Sequence, residues 1–439
     1  MGRNHLFLIS AILFFSLVSH SEIRTSMVVQ GLSFISPDYE SASSKSFAFL
    51  GANLKTNPKS DDLFRINLTG MYAMGNSVLS FLNIRETYFS TSFEDKSELH
   101  IGRKLHNWSS LDSVWNLGVY QPQFRWNPLA PENQGLTGLF WEKRNQGFAV
   151  SLFASPLYIP DQGASFELKD GQFQASNPWF PMPPQNVRFQ GQLLPIDYNV
   201  DKPEVSEVIF QTQYGAQVRM GEGRGFFANL AGMYKPSNQL ALGYKGVLVT
   251  TRVRIDVTPK VYYENVYSAD FGYRDTWGAA QLSVLYSQPK DPKFDDGFNS
   301  PQFDESLSWG PQIFFRYQPF TFFLAYLDTT GGKVKDVGPD ADDNRASLSN
   351  RFQFRQAALA RATYTGVFWN QFRLDSTLQY KFSPSESFRQ INFKNAVKLR
   401  GPWAFWVDVL LIDTDSEKNS AMEAYKSLDQ VWAGVSYDI

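Results

Sequence analysis

The stretch Val431-Trp-Ala-Gly-Val-Ser-Tyr437-Asp-Ile439 places apolar or aromatic side chains at 431, 433, 435, 437 and 439. A strict period of two gives a β-strand one apolar face and one polar face. The strand runs to the last residue of the chain, so a partner must meet it there. A closed barrel supplies one, because its last strand hydrogen-bonds to its first.

Outward from that stretch the same theme repeats. Segments of alternating polarity are separated by Gly, Pro, Asn, Asp or Ser. Strands are expected near 25–35, 44–55, 62–73, 78–89, 97–105, 136–144 and 147–154. The next group lies near 205–219, 224–234, 238–257, 259–271 and 275–288. The last lies near 308–317, 319–328, 349–365, 368–382, 388–400, 402–413 and 428–439. These segments suit the strands of a membrane barrel, whose turns are short at one end and long at the other.

The strand count can be tested by parity. The long connections 106–135, 155–204, 289–307, 329–348 and 414–427 should share one side, so an even number of strands must separate each pair. Only 205–288 breaks the rule, with five. The suspect is 238–257, too long for one typical membrane strand. Splitting it gives about 20 strands and merging two neighbours gives about 18; the expectation is an all-β, single transmembrane antiparallel up-and-down barrel of about 18.

The N-terminus reads as an export address. Arg3 precedes an apolar run from Leu6 to Val18, and Ser19 and Ser21 flank His20. That order describes a secretory signal peptide over 1–21, which leaves 22–439 as the barrel. The chain has no cysteine, which excludes disulfides, thiolate metal sites and thiol nucleophiles. It is 16% aromatic, polar on average, and nowhere after residue 21 holds 18 continuous apolar residues. An exported chain of this kind fits a barrel in which alternate residues face lipid and lumen. The expected location is therefore the bacterial outer membrane, with lipid and lipopolysaccharide as surroundings and no nucleic-acid partner.

The lipid face is clearest in the last third. Phe368, Phe372, Leu374, Leu378, Tyr380 and Phe382 share one side, as do Ile391, Phe393, Val397 and Leu399. Trp403, Phe405, Val407, Val409 and Leu411 do the same. The opposite faces carry the charge. Arg351, Arg355, Arg361, Arg373, Lys381, Lys394, Lys398 and Arg400 stand against the single acid Asp375. Arg65, Arg252 and Arg254 have the same inward placement elsewhere. A basic wall in a narrow pore concentrates anions and excludes cations. The bland alternative is a lumen that needs only to be polar, its charge neutralised by loop carboxylates.

Two connections are too long for turns. Segment 106–135 holds Trp108, Trp115, Pro122, Arg125, Trp126, Pro128 and Pro131, an apolar content that argues for packing. Segment 155–204 contains the run Asn177 to Pro184 and reads as a Pro-rich lid or plug. The acidic residues Asp291, Asp295, Asp296, Asp304 and Glu305, then Asp336, Asp340, Asp342 and Asp343, lack EF-hand spacing and read as solvated loops. No metal or cofactor site is expected. His106, Ser109, Ser110 and Asp112 lie close in sequence, but no nucleophile-elbow motif accompanies them, so no enzyme is expected.

The signal peptide, the alternating strands, Gly102-Arg103 closing a strand before a Trp-rich loop, and the final strand together resemble bacterial outer-membrane porins. The resemblance covers 22–439 in pattern. It implies that 106–135, the third outer connection, folds into the channel as a constriction. It also implies that Val431, Val435, Tyr437 and Ile439 form the signal read by the barrel-assembly machinery, although Ile439 replaces the usual Phe. The basic lumen is similar to that of alginate-export and capsule-associated barrels. The function so implied is passive diffusion of small hydrophilic, anionic solutes. The competing class is a plugged barrel serving surface binding, adhesion, or capsule or exopolysaccharide export.

Overall fold

The computed structural model describes residues 23–36, 45–56, 63–174, 177–221, 223–339, 351–368, 371–414 and 423–439. Segment 1–21, expected as a signal peptide, and Asp340, Asp342 and Asp343 lie outside them.

An 18-stranded antiparallel sheet closes on itself. Its first half comprises β1 (Ile23–Phe34), β2 (Ser46–Thr56), β3 (Phe64–Met74), β4 (Phe81–Ser92), β5 (Ser97–Lys104), β6 (Leu136–Asn145), β7 (Phe148–Ser155), β8 (Gln213–Met220) and β9 (Gly225–Pro236). The second half comprises β10 (Tyr263–Arg274), β11 (Gly278–Pro289), β12 (Ser306–Tyr317), β13 (Phe320–Gly331), β14 (Gln356–Phe368), β15 (Phe372–Ser383), β16 (Phe388–Leu399), β17 (Trp403–Thr414) and β18 (Gln430–Asp438). Each strand pairs with its neighbour in chain order. Closure runs from Ser26↔Asp438 to Phe34↔Gln430, so the C-terminal strand meets the first, as its alternation requires. The ring leaves no unpaired edge, which is what lets strands sit in hydrocarbon.

The connections obey the parity argument. Short turns gather at one end, here the turn end, and the long connections gather at the other, the loop end. One expected strand is corrected. Segment 238–257 is neither split nor merged within the wall. Its residues form the hairpin Ala241–Val249 and Arg252–Lys260, which joins Asn186–Phe189 and Gln192–Val200 in a four-stranded sheet outside the barrel. A hairpin alternates in polarity wherever it packs, so period alone could not exclude it. Removing it restores even parity and the count of 18. A second correction is smaller: β14 begins at Gln356, so 351–355 belongs to the preceding connection.

The outer face carries exposed apolar residues such as Leu82, Leu230, Leu282, Leu324, Leu378 and Phe405. Aromatics border this belt at both ends, as membrane-interface girdles do. At the turn end Phe226 meets Tyr273, Phe315 meets Phe322 and Trp403 meets Tyr437, with ring centroids 5.2, 4.9 and 4.8 Å apart. At the loop end Tyr234 packs between Tyr214 and Tyr263, at 5.4 and 5.0 Å.

Candidate functional site

The candidate site is the lumen, and segment 106–135 crosses it. A one-and-a-half-turn helix, α1 (Ser110–Trp115), forms because the Ser109 hydroxyl accepts the Asp112 N–H at its start. Asn116 in the left-handed conformation (φ 49°) ends it. The Asp112 carboxylate then accepts the N–H groups of Val119 and Tyr120 at 3.1 and 2.9 Å, folding the chain back on itself. Burial raises the pKa of Asp112 above the usual carboxylate value, opposed by those hydrogen bonds.

Lumen side chains on many strands hold this segment. Gln217 of β8 donates to the Asn107 carbonyl at 2.7 Å, and Asn229 of β9 to that of Trp108 at 2.9 Å. Asp270 of β10 accepts the Ser110 N–H at 3.1 Å, and Ser268 meets the Tyr120 hydroxyl at 2.9 Å. Lys235 of β9, fully buried, donates to the Val119 carbonyl at 3.0 Å. On β12, a Cβ at Gly310 would collide with the Tyr326 carbonyl oxygen of β13 and lie 3.1 Å from Leu111 Cδ1, so the glycine is required first by the close approach of the neighbouring strand and only secondarily by α1.

The far side of the segment reaches the opposite wall through aromatics. Trp126 packs on Phe49 of β2, Phe81 of β4 and Trp432 of β18, with centroids 6.0, 4.6 and 6.2 Å away. Trp179, from the second long connection, covers Trp126 at 4.5 Å. Segment 156–212 is also tied to the first by backbone: the Arg125 N–H donates to the Gln162 carbonyl at 2.6 Å and the Gln162 N–H to the Gln123 carbonyl at 2.9 Å. Trp108, Trp115, Trp126 and Trp179 are all buried. Arg125 forms an ion pair with buried Asp161 at 3.7 Å. Burial pushes the Asp161 pKa up to about 7 despite that partner.

Two cavities of similar size lie beside the crossing segment among the described residues. One, of about 390 Å³, is lined by Ser110, Arg144, Arg219, Asn229, Asp270, Arg274 and Gln281. The other, of about 400 Å³, is lined by Gln30, Asn53, Thr69, Asn83, Trp126, Glu132, Lys394, Asp408 and Trp432.

The structure distributes the expected basic wall unevenly. Arg351 is almost completely buried in the loop-end connection, bonded to Glu264 at 3.0 Å and Ser287 at 2.6 Å. Arg373 is paired with Asp375 at 3.1 Å and Lys394 with Asp408 at 2.9 Å. Arg361 lies over the Phe323 ring at 4.9 Å and Lys381 over that of Phe354 at 4.9 Å. Arg355 is half-buried just before β14. Arg252 and Arg254 do not line the barrel wall; they sit on the outer sheet, paired with Asp197 at 2.7 Å and Asp256 at 3.3 Å. Arg400 is exposed in a turn.

A different basic feature was missed. Arg24, Lys55, Arg65, Arg144, Arg219, Arg274, Arg316, Arg373 and Lys398 each fall within the first or last two residues of a strand, all at the turn end. Each shares the face of lumen-buried neighbours in its strand, so together they make a collar around the mouth. Glu98, Glu142, Asp375 and Asp438 are lumen-side carboxylates near that level, with Asp95 and Asp275 in the adjoining turns, and Glu142 lies 3.5 Å from Arg144 of the collar. The signal was available in the sequence as basic residues next to turns, but it needed the strand ends.

The Ser–His–Asp grouping does not assemble. His106 Nε2 meets Gln217 Oε1 at 2.6 Å and its Nδ1 lies 3.3 Å from Glu142, while Asp112 serves the backbone of its own loop.

No family model matches the chain, and no curated protein matches it. The fold is similar to that of solved outer-membrane porins. A BenF-like porin from Pseudomonas fluorescens Pf-5 aligns over 96% of this chain and 99% of its own, at 10% identity and a TM-score of 0.46. OccAB1 of Acinetobacter baumannii aligns over 96% and 98%, at 10% identity and 0.45. The outer membrane protein OprD from Pseudomonas aeruginosa aligns over 95% and 93%, at 10% identity and 0.42. At this identity the likeness concerns the outline of the fold.

Proposed function

We propose that this chain is a channel of a bacterial outer membrane, exported by cleavage of 1–21, through which small hydrophilic solutes diffuse. The observation that carries the reading is the closed ring of strands with an apolar, aromatic-bordered outside and a polar inside. Segment 106–135 is the constriction, and Trp179 brings 155–204 over it as a lid. Anions are the preferred solutes, because the turn-end collar is basic and only partly offset by carboxylates. Within it Arg219 and Arg274 matter most, since both line the cavity beneath α1. Arg373 and Lys394 contribute less, because each already faces a carboxylate. The C-terminal face of Val431, Val435, Tyr437 and Ile439 is the part offered to the assembly machinery.

Planar-bilayer recording under a salt gradient tests this reading. Stable single-channel conductance with an anion-selective reversal potential is the expected result. Conductance with cation preference would remove the role of the collar. A folded barrel that never conducts would remove the channel.

A further inference from the structure

On the lumen wall, Glu98 of β5 and Glu142 of β6 stand directly opposite each other in the antiparallel register. Like charges in such a pair repel unless something positive lies between them. His100, one strand repeat along from Glu98, turns its ring into that gap. Its Nδ1 is fixed at 2.8 Å from the Ser90 hydroxyl. Its Nε2 lies 3.5 Å from Glu98 Oε2 and 3.9 Å from Glu142 Oε2. The residue is 4% exposed, and Nε2 has no hydrogen-bond partner. A buried imidazole nitrogen aimed at two carboxylates, yet too far from either for a normal hydrogen bond, is an unsatisfied arrangement.

The spacing suits a different occupant. The three ligand atoms all lie within 4.8 Å of one another. In a tetrahedral site with metal–ligand bonds of about 2.0–2.1 Å, ligand atoms stand roughly 3.3–3.4 Å apart. The two histidine–carboxylate gaps, 3.5 and 3.9 Å, reach that geometry by shifts of some tenths of an ångström, and the Glu98 side chain, which is exposed, is free to close the remaining carboxylate–carboxylate separation of at most 4.8 Å. The Ser90 contact is the outer-shell bond that fixes the orientation of a ligating histidine. The other oxygen of Glu142 is engaged by Lys104 and by His106, which leaves Oε2 for the gap. Arg144 lies 3.5 Å from that oxygen, but its side chain is 61% exposed and can swing into the lumen.

We propose that Glu98, His100 and Glu142 form a binding site for a divalent transition-metal cation, with Zn²⁺ the best fit. The imidazole and two carboxylates supply three ligands, and the fourth position opens towards the lumen beside the exposed Glu98. The cation would share the Glu142 carboxylate with Lys104, whose contact is to the other oxygen, and displace the exposed Arg144 from Oε2.

The test is calorimetric titration of ZnCl₂ into the folded, untagged protein after chelator treatment. One equivalent should bind, and loss of a ligand in His100→Gln or Glu98→Gln should weaken affinity by more than the roughly tenfold that loss of an outer-shell partner costs. Ser90→Ala, which leaves all three ligands in place, should weaken it by a smaller factor. Folding of each variant is checked by the mobility of unheated samples on gels. Co²⁺ should give visible bands of tetrahedral type that His100→Gln abolishes. Absence of stoichiometric binding, or a folded His100→Gln variant that binds Zn²⁺ and colours with Co²⁺ as the parent does, would overturn the site.

Discussion

Trp126→Ala should release segment 106–135, the proposed constriction, from one wall of the barrel. Trp126 is buried against Phe49, Phe81, Trp179 and Trp432, so its removal strips one cluster of four aromatic contacts. Truncating a buried Trp to Ala costs about 3–5 kcal/mol. The barrel's hydrogen-bonded ring does not pass through Trp126, so the loss falls on docking of segment 106–135 rather than on the fold. At about 1.4 kcal/mol per tenfold, the docked-to-undocked ratio should drop by roughly two to three and a half orders of magnitude. Segment 106–135 would remain tethered on its α1 side through Asn229, Ser268 and Asp270. The expected outcome is a larger or frequently flickering single-channel conductance, with faster hydrogen exchange between Leu117 and Glu132. The control is Trp309→Ala on the lipid face, which should change neither. If Trp126→Ala folds normally and keeps both the parent conductance and the parent exchange protection, the claim that 106–135 sets the channel's width is refuted.

Arg219→Glu with Arg274→Glu places two acids in the collar and should move the reversal potential towards cation selectivity. The same exchange at Arg252 and Arg254, on the outer sheet, should leave it nearly unchanged. Burial of Asp161 gives it a pKa of about 7 in the folded chain against an ordinary 3.8. The folded state therefore holds the extra proton between those values, and docking of its connection weakens as pH rises from about 4 to 7. At about 1.4 kcal/mol per pH unit the upper bound is about 4 kcal/mol. Channel flicker should increase over that range in the parent, and Asp161→Asn should flatten the dependence. Asp112→Ala removes the acceptor for two buried N–H groups and should cost about 1–3 kcal/mol of local stability, read as loss of exchange protection at Val119 and Tyr120. Gly102→Val should hinder assembly, since Gly102 has φ 130° and a Cβ would collide with the Thr87 carbonyl; the measure is the folded fraction on unheated gels.

The period of two fixed which residues could face lipid, and it did so down to individual side chains in the last third of the chain. Phe405, Val407 and Leu411 are exposed on the barrel's outside as their spacing requires. Turn signals located most strands, and the parity of long connections exposed the one segment that did not belong. The aromatic content of 106–135 also announced a packed segment before its contacts were visible.

What stayed hidden has a common physical cause: alternation gives the face of a residue but neither its height nor its neighbours around the ring. Lys394 meets Asp408 because the β16–β17 register puts them opposite, and Arg351 meets Glu264 across 87 positions of sequence. The basic wall read from one stretch of sequence is therefore partly neutralised, while the turn-end collar emerges from strands far apart in the chain. The hairpin 241–260 alternates like a wall strand, yet it joins Gln192–Val200 outside the barrel. The sequence by itself determined strands, faces and an even-numbered closed sheet, because these follow from local stereochemistry and the need to satisfy the backbone. The tertiary structure alone decided which charges are paired, which segment crosses the lumen, and that Glu98, His100 and Glu142 meet, because those depend on register and closure.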